Sequence, residues 1–312
     1  MRLLVTGGAG FIGSHIIEAA LEVGHEVAAL DNLSSGKKQN LPAGVKLFEV
    51  DLRDRSAVSA AIGDFRPDMV SHQAAQASVS ISVKSPLLDA ETNVIGGINL
   101  LDACREFSVR KVVFASTGGA IYGEVPEGRF ASEDMVPVPI SPYAIDKLCF
   151  EQLLGVYRVH HGLDSCVLRY ANVYGPRQDP HGEAGVVAIF FMALLAKRKI
   201  TVFARREAGD PGCVRDYVYV SDVARANIAA LSDDWNERVM NVGTGRAITT
   251  LELVKLMAAC MGSEVTPGFG PMRAGDAERS VLDIKRFAAR FGANVSLEAG
   301  LERTFAWYRS QG

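Results

Sequence analysis

The sequence predicts an α/β protein built on a doubly wound parallel sheet. Up to about residue 172, short apolar segments of strand length alternate with segments whose apolar residues recur at helical spacing. The strand segments are apolar throughout, which is typical of parallel strands covered by helices on both faces. The chain also has 30 glycines among its 312 residues, which suits frequent strand-to-helix turns. We expect right-handed crossovers between the parallel strands.

The first part of the chain predicts one helix among four strands. The helix, residues 11–23, has apolar residues at helical spacing and ends before Gly24, a residue type that commonly closes helices. A polar turn at 32–36 follows the second strand. The four predicted strands cover residues 3–5, 27–30, 45–50 and 69–72.

Two longer helices and two strands are predicted next. One helix covers 93–107; the other starts where Ser141 caps Pro142 and ends at residue 161, before Gly162. The strands cover 111–115 and 165–168. After about residue 172 Gly, Pro, Arg and Asp become frequent. We therefore predict two domains, 1–171 and a smaller lobe 172–312, with residues 239–242 returning a strand to the main sheet.

Composition excludes several classes of protein. Hydrophobic residues make up 48% and charged residues 22% of the chain, which indicates a packed globular protein. The net charge of -3 argues against a nucleic-acid binder held by bulk electrostatics. Five scattered cysteines without a CxxC pair predict neither a disulfide framework nor a zinc site, and no other cluster has metal-ligand spacing. We expect a cytoplasmic protein with no signal peptide, membrane span or bound metal.

A glycine-rich turn joins the first strand to the first helix. Gly8, Gly10 and Gly13 fit the pattern G-x-G-x-x-G, and Gly7 adds another position without a side chain. Such a turn lets the backbone approach a pyrophosphate at the helix N-terminus. Asp31 ends the second strand 18 residues after Gly13, where a carboxylate accepts hydrogen bonds from a ribose diol and repels a 2′-phosphate. The pattern favours NAD over NADP.

A second constellation carries acid–base chemistry. Tyr143 and Lys147 stand at i and i+4, so they share one face of the predicted helix. A nearby ammonium lowers the pKa of a phenol, and NAD⁺ adds positive charge, so we expect Tyr143 to act as a base. Ser116 and Thr117 follow the fifth strand, at the edge where open α/β sheets bind ligands. Either hydroxyl could hold a substrate oxygen or relay a proton to Tyr143.

These motifs occur together, and in this order, in a known family. The chain resembles the extended short-chain dehydrogenases/reductases, most of all the UDP-glucose 4-epimerases, over nearly its whole length. The segments that carry the resemblance are TGGAGFIG at 6–13, DN at 31–32, HQAA at 72–75, ST at 116–117, Tyr143-x-x-x-Lys147 and RYxN at 169–172.

The resemblance implies a Rossmann domain over 1–171 that holds NAD tightly, and a substrate-binding lobe over 172–312. It also implies a homodimer formed through the helices near 93–107 and 143–161. His72 would line the cofactor site as a wall. The cofactor-binding residues implied are Gly7, Gly10, Phe11, Ile12, Gly13, Asp31, Asn32, Ser35, Gly36, Asp51, Leu52, Gln73, Ala74, Ala75, Tyr143, Lys147 and Tyr170.

The substrate implied is a UDP-sugar. The segment RDY at 215–217 and the segment RAGD at 273–276 match family segments that bind the diphosphate through arginine and the ribose or base through the final Asp. Ser280, seven positions after Arg273, would border the sugar; it lacks an aromatic ring, so an N-acetyl group should fit. The substrate-binding residues implied are Thr117, Tyr143, Asn172, Phe203 (against uracil), Arg215, Arg273, Asp276 and Ser280.

One departure narrows the reaction. Related dehydratases carry Asp-Glu after the Ser/Thr, whereas Gly118 and Gly119 follow Thr117 here, which argues against dehydration. The same Gly-Gly sequence leaves open whether Ser116 or Thr117 provides the active hydroxyl. The leading hypothesis is an NAD-dependent 4-epimerase of UDP-hexoses, with Thr117, Tyr143 and Lys147 catalytic and a transient 4-keto sugar. The alternatives are a related nucleotide-sugar dehydrogenase, reductase or UDP-glucuronate-processing enzyme, and a non-catalytic NAD-sensing scaffold.

Overall fold

A computed structural model describes residues 1–180, 185–272 and 277–311. The chain forms two compact units that interleave along the sequence. The first comprises Met1–Thr117, Ser141–Arg169 and Val223–Met240; the second comprises Gly118–Ile140, Tyr170–Asp222 and Asn241–Gly312. The second unit thus begins at Gly118, and residues 223–240 rejoin the first, whereas the sequence suggested one cut after residue 171.

A seven-stranded sheet forms the centre of the first unit. Its strands lie in the order β11-β6-β5-β4-β1-β2-β3, and the pairs of β1 with β2 and β4, β2 with β3, and β4 with β5 are parallel. The predicted doubly wound parallel sheet is therefore confirmed, including the returning strand at Val239–Val242. The strands are β1 Arg2–Thr6, β2 Glu26–Asp31, β3 Lys46–Glu49, β4 Met69–His72, β5 Lys111–Thr117, β6 Asp164–Tyr170 and β11 Val239–Val242.

The predicted helices of the first unit, α1, α5 and α6, lie within a few residues of their predicted bounds, whereas α2 between β3 and β4 was not predicted from the sequence. Asp54 caps α2 by accepting the N–H of Ala57, and Ser141 caps α6 by accepting the N–H of Ala144. Gly162 closes α6 with φ of 69°. The helices are α1 Phe11–Glu22, α2 Arg55–Phe65, α3 Val79–Lys84, α4 Pro86–Ala90, α5 Gly96–Glu106 and α6 Pro142–His161, with a π-helical turn at Glu91–Ile95. Both α3 and α4 escape the sequence pattern because they are shorter than two helical turns.

The second unit is built from short elements. Its strands pair β10 with β7, β12 and β14 with β9, and β13 with β8. The strands are β7 Asn172–Tyr174, β8 Thr201–Phe203, β9 Val214–Arg215, β10 Tyr217–Tyr219, β12 Ile248–Thr249, β13 Gly268–Gly270 and β14 Arg279–Ser280. The helices are α7 Val186–Leu195, α8 Val220–Ala230, which continues into the first unit, α9 Thr250–Cys260, α10 Lys285–Phe291 and α11 Leu297–Ser310.

All five cysteines are free thiols, as the sequence predicts. Across the described ranges, no helix combines the length and the apolar character that a membrane span requires.

Candidate active site

The glycine-rich turn between β1 and α1 is closed by backbone contacts. Gly7 has φ of +64°, and a Cβ atom there would lie 2.7 Å from the amide nitrogen of Ala74. A Cβ atom on Gly13 would lie 2.1 Å from the carbonyl oxygen of Gly7. Helix α1 starts after Gly10 with neither a side-chain cap nor an acidic residue in its first turn, which includes Phe11 and Ile12. This cradle of backbone N–H groups fits the diphosphate of a dinucleotide.

Asp31 ends β2 directly beside this turn. Its Oδ2 atom accepts the N–H of Ala9 at 3.0 Å, and its Oδ1 atom accepts the N–H of Leu33 at 2.8 Å. Burial raises the pKa of Asp31, and these hydrogen bonds oppose the rise. A Cβ atom on Gly36 would lie 2.8 Å from Oδ1, so residue 36 also lies against this carboxylate. Each oxygen still has acceptor capacity for a ribose hydroxyl.

Asp51 is engaged mainly by its own loop. Arg53 donates to its two carboxylate oxygens through Nε at 2.9 Å and Nη2 at 2.8 Å, and Asn32 donates through Nδ2 at 3.0 Å. The Arg53 hydrogen bonds hold the pKa of Asp51 well below its usual range. Leu52 beside it is buried, whereas Ser35 is exposed on the loop after β2.

The segment after β4, which includes Ala75, is tied to β1. Gln73 donates its N–H to the carbonyl oxygen of Thr6 at 3.1 Å, and Ala74 donates its N–H to Thr6 Oγ1 at 3.2 Å. Thr6 Oγ1 lies 2.7 Å from His72 Nδ1. Burial lowers the pKa of His72 to about 3, so the imidazole is neutral, and its Nδ1 and the Thr6 hydroxyl share a hydrogen bond. These contacts fix the Ala74 backbone beside the glycine-rich turn.

Thr117 and Tyr143 lie close together, and the Thr117 side chain acts to lower the pKa of Tyr143. Thr117 is the last residue of β5, and Tyr143 lies in the first turn of α6. Ser116 is engaged elsewhere, because its Oγ donates to Glu151 Oε1 at 2.5 Å. The geometry therefore places Thr117, rather than Ser116, beside the tyrosine.

Lys147 follows Tyr143 by one helical turn on α6. It is 3% exposed; its Nζ donates to the carbonyl oxygen of Ala115 at 2.9 Å and lies 5.8 Å from the centre of the Tyr143 ring. Burial lowers the pKa of Lys147 to about 8, and the charges of Asp89 and Glu151 oppose that shift. The ammonium form therefore prevails at neutral pH.

The sequence predicts that the pKa of Tyr143 is lowered. This prediction is wrong when only the groups of the protein itself act on the phenol. Burial raises this pKa, the negative charge of Asp89 adds to the rise, and the Thr117 side chain only partly opposes it. The reason is that a low-dielectric site penalises the phenolate more than one hydroxyl partner stabilises it. A base at Tyr143 therefore requires a further positive charge beside the phenol.

In the second unit, a small sheet brings Arg215 and Ser280 side by side. β14 runs parallel to β9 with Ser280 opposite Arg215, and β12 flanks β9 with Ile248 opposite the same arginine. Ser280 is 2% exposed, and its Oγ lies 3.5 Å from the carbonyl oxygen of Gly118. Two residues predicted to contact the substrate, 65 positions apart in sequence, are thus neighbours.

Asp216 links the elements of this unit's site. Its Oδ1 accepts the Thr244 N–H at 2.9 Å and the Thr244 hydroxyl at 2.6 Å, and its Oδ2 accepts the Gly245 N–H at 2.9 Å. Its N–H donates to the carbonyl oxygen of Ser280 at 3.2 Å. Its carbonyl oxygen accepts a hydrogen bond from Asn172 Nδ2 at 3.1 Å. Asn172, Arg215 and Ser280 are therefore held together around this residue.

The other predicted contacts are more dispersed. Phe203 lies in β8 opposite Gly270, where a Cβ atom would meet the ring at 3.0 Å. Tyr170 is buried at the end of β6, and its carbonyl oxygen accepts the N–H groups of Gly118 at 2.7 Å and Gly119 at 3.1 Å. Two predicted residues lie outside the described ranges: Arg273 and Asp276.

Sequence reasoning missed a buried ion pair that involves α6, the helix of Tyr143 and Lys147. Arg169 donates to Glu151 through Nε at 3.0 Å and Nη2 at 2.5 Å, and both side chains are almost fully buried. Glu151 follows Lys147 by four residues, as Lys147 follows Tyr143. This helical spacing places all three on one face of α6 and could have indicated the role of Glu151. Sequence reasoning also missed the role of Asp216 in the RDY segment. Its partners Thr244 and Gly245 are distant in sequence, and no local pattern indicates them.

The sequence profile of the NAD dependent epimerase/dehydratase family matches residues 3–243. The chain belongs to this family. Its cofactor is accordingly NAD, and the cradle of α1 with Asp31 fits that dinucleotide.

Relatives match over the whole chain. UDP-glucose 4-epimerase of Mycolicibacterium smegmatis is 43% identical over 318 residues, covering 100% of this chain and 99% of that protein. The crystal structure of the Thermus thermophilus UDP-glucose 4-epimerase in complex with NAD is 54% identical, with a TM-score of 0.96 and 100% of both chains covered. The Thermotoga maritima UDP-glucose 4-epimerase structure with UDP-glucose is 46% identical, with a TM-score of 0.94 and 100% and 99% covered.

Proposed function

We propose that this chain is an NAD-dependent UDP-glucose 4-epimerase, which interconverts UDP-glucose and UDP-galactose through a transient 4-keto sugar. The observation that carries the proposal is the meeting of Thr117 with Tyr143, one helical turn from buried Lys147, in the unit that also holds the glycine-rich turn. NAD binding alone requires no such hydroxyl pair, whereas proton transfer at a sugar hydroxyl does. The full-length similarity to enzymes of that name supports the same reaction.

In this proposal the first unit holds the cofactor. The turn at Gly7, Gly10 and Gly13 binds its diphosphate, and Asp31 binds the adenosine ribose. When bound, NAD supplies the acceptor and the later donor of the C4 hydride, and its oxidised form brings positive charge to the site. Net epimerisation consumes no oxidant, so one bound cofactor serves repeated turnovers.

The catalytic residues transfer one proton and stabilise the phenolate that exchanges it. Tyr143 takes the proton of the sugar 4-OH and later returns it, with Thr117 sharing the hydrogen bond. Lys147 stabilises the phenolate through its charge. Gly118 and Gly119 place no acid or base after Thr117, which suits epimerisation rather than loss of water.

The second unit binds the nucleotide-sugar in this proposal. Arg215 and Arg273 bind the diphosphate, because a guanidinium matches phosphate oxygens. Asp276 binds the ribose or base, and Asn172 contacts the sugar-nucleotide. Phe203 lies against the uracil.

The test is product analysis. Purified protein, without added NAD, is incubated with UDP-glucose and, separately, with UDP-galactose. We expect each substrate to yield the other, and Tyr143→Phe to lower kcat by at least about a thousandfold while NAD stays bound. Near-normal turnover in Tyr143→Phe would exclude the proposed base.

The sugar pocket is proposed to accept N-acetyl groups. Ser280 is a small residue at the position that would border the sugar, and a bulky wall there could not absorb the extra atoms without strain. We expect conversion of UDP-GlcNAc and UDP-GalNAc by the wild type. In Ser280→Tyr, kcat/KM for the N-acetyl sugars should fall far more than for the plain sugars; equal losses would remove Ser280 as the determinant.

The proposal extends to assembly and setting. We propose a homodimer through α5 and α6, working in cytoplasmic galactose metabolism. Exposed apolar side chains along α6, including Ile145, Val156 and Val159, support the dimer. Sedimentation should give twice the chain mass, and a monomer at micromolar concentration would reject this assembly.

A further inference from the structure

One carboxylate holds the start of β14, just after the RAGD segment. Glu124 Oε2 accepts the N–H of Glu278 at 2.7 Å, and Oε1 accepts the N–H of Arg279 at 2.8 Å. The next residue, Val125, donates its N–H to the carbonyl oxygen of Arg279 at 3.1 Å. Two successive amides are thus bound by a single side chain. Such charge-assisted hydrogen bonds are stronger than neutral ones.

Arg279 anchors the same loop from the other side. Its side chain is buried, with the residue 6% exposed, and Nη1 donates to the carbonyl oxygens of Arg129 at 2.6 Å, Pro126 at 2.9 Å and Val125 at 3.3 Å. A buried guanidinium is costly unless its N–H groups are satisfied. The loop 124–129 and the start of β14 therefore fit each other in one arrangement.

That arrangement determines where Ser280 lies. β14 has only two residues, Arg279 and Ser280, and its register with β9 sets Ser280 opposite Arg215. Side chains alternate along a strand, so a slip of one residue would exchange the positions of Arg279 and Ser280. Two strand residues give little register specificity of their own. The contacts of Glu124, together with those of the Arg279 guanidinium, add register specificity from outside the strand.

We propose that Glu124 is a positioning residue for sugar-nucleotide binding, which fixes the register of β14 and so the place of Ser280 beside Arg215. The inference rests on the proposed function, because it assigns those two residues to the substrate. Glu124 is itself exposed and acts through the backbone amides of residues 278 and 279. Its removal should therefore weaken substrate binding and leave the proton chemistry of Tyr143 unchanged.

The experiment compares Glu124→Ala, Glu124→Gln and the control Glu127→Ala. Gln keeps one acceptor oxygen but turns an N–H₂ group toward a backbone N–H, so its effect should be smaller than that of Ala. Glu127 lies on the same loop, and its side chain is 77% exposed. It forms an ion pair with Arg205 at 3.8 Å. Its removal takes the same charge from the same loop without releasing an amide.

We expect Glu124→Ala to raise KM for UDP-galactose about tenfold, with kcat within about twofold of wild type, from the loss of two charge-assisted hydrogen bonds. Glu124→Gln should show a smaller rise in KM, and Glu127→Ala none. A purely structural role would reduce the amount of active enzyme, and so apparent kcat, at constant KM. That pattern, or an unchanged KM in Glu124→Ala, would overturn the inference while leaving the wild-type activity standing.

A second readout separates this inference from the proposed function. If the wild type converts no UDP-sugar, the proposed function fails, and the Kd for UDP-glucose, measured by titration calorimetry, then decides the role of Glu124. A Kd about tenfold weaker in Glu124→Ala than in Glu127→Ala supports the positioning role. Equal Kd values for these two variants overturn it.

Discussion

The glycine-rich turn of the first unit and the short strands of the second unit are held by different means. In the first, the glycine-rich turn is closed by steric contact, with the Gly13 Cα packed against the backbone of Gly7. In the second, short strands are held by carboxylates that accept several N–H groups each, as at Asp216 and Glu124. The glycine-rich turn should therefore lose its conformation when one carbon atom is added. The short strands should lose theirs when one acceptor oxygen is removed.

Gly13→Ala should give the largest effect. A Cβ atom 2.1 Å from the Gly7 carbonyl oxygen forces backbone to move, so we expect loss of NAD binding and a free energy of unfolding lower by about 3 kcal/mol. Cofactor content after purification and urea unfolding would measure both quantities.

Gly155→Ala is the matched control. Gly155 lies within α6 with no neighbouring atom within 4 Å of its would-be Cβ atom. Alanine there should keep NAD and stabilise the protein by roughly 0.5–1 kcal/mol. If both variants bind NAD normally, the steric account of the turn is wrong.

Asp216→Asn should break the second unit's site and spare the first. Asn offers one acceptor oxygen, and its N–H₂ group would face a backbone N–H of Thr244 or Gly245. We expect the free energy of unfolding to fall by about 2 kcal/mol. KM for UDP-galactose should rise, and NAD content should match the wild type. Loss of NAD in step with loss of UDP-sugar binding would contradict the separation of roles.

His72 gives a pH dependence of stability in the first unit, and its effect is the smallest at neutral pH, where the imidazole is mostly uncharged in both the folded and the unfolded state. Burial holds the folded-state pKa at about 3, below the unfolded value of about 6.5, so only the unfolded state gains a proton between these values. The free energy of unfolding should therefore fall as pH is lowered from 6.5, by about 1.4 kcal/mol per unit.

In His72→Asn, where the amide group replaces Nδ1 as the hydrogen-bond partner of the Thr6 hydroxyl, the contribution of His72 to this slope between pH 6.5 and 5 should be lost. Urea unfolding at several pH values measures it, and identical slopes in the two proteins would show that His72 is not the titrating group.

The same contrast explains what could be predicted from sequence. The turn at 7–13 and the pair Tyr143 and Lys147 each lie within a few residues, so spacing alone reveals the geometry. Arg215, Ile248 and Ser280 meet only after the chain has folded, in strands of two residues that have no periodic pattern. The pKa of Tyr143 was also beyond reach, because it depends on burial that the sequence does not show.

The central claim is that Tyr143, Thr117 and Lys147 catalyse epimerisation with no net oxidation or reduction. The NAD stays bound to the first unit throughout. The most direct test adds a large excess of UDP-glucose to purified protein without free NAD and follows reduced nicotinamide in the protein and in its ultrafiltrate. We predict that many equivalents of UDP-galactose form while reduced nicotinamide stays with the protein and never exceeds the enzyme concentration. In a parallel reaction with added NAD, reduced nicotinamide that accumulates in the filtrate without formation of UDP-galactose would instead make the protein a dehydrogenase and contradict the account.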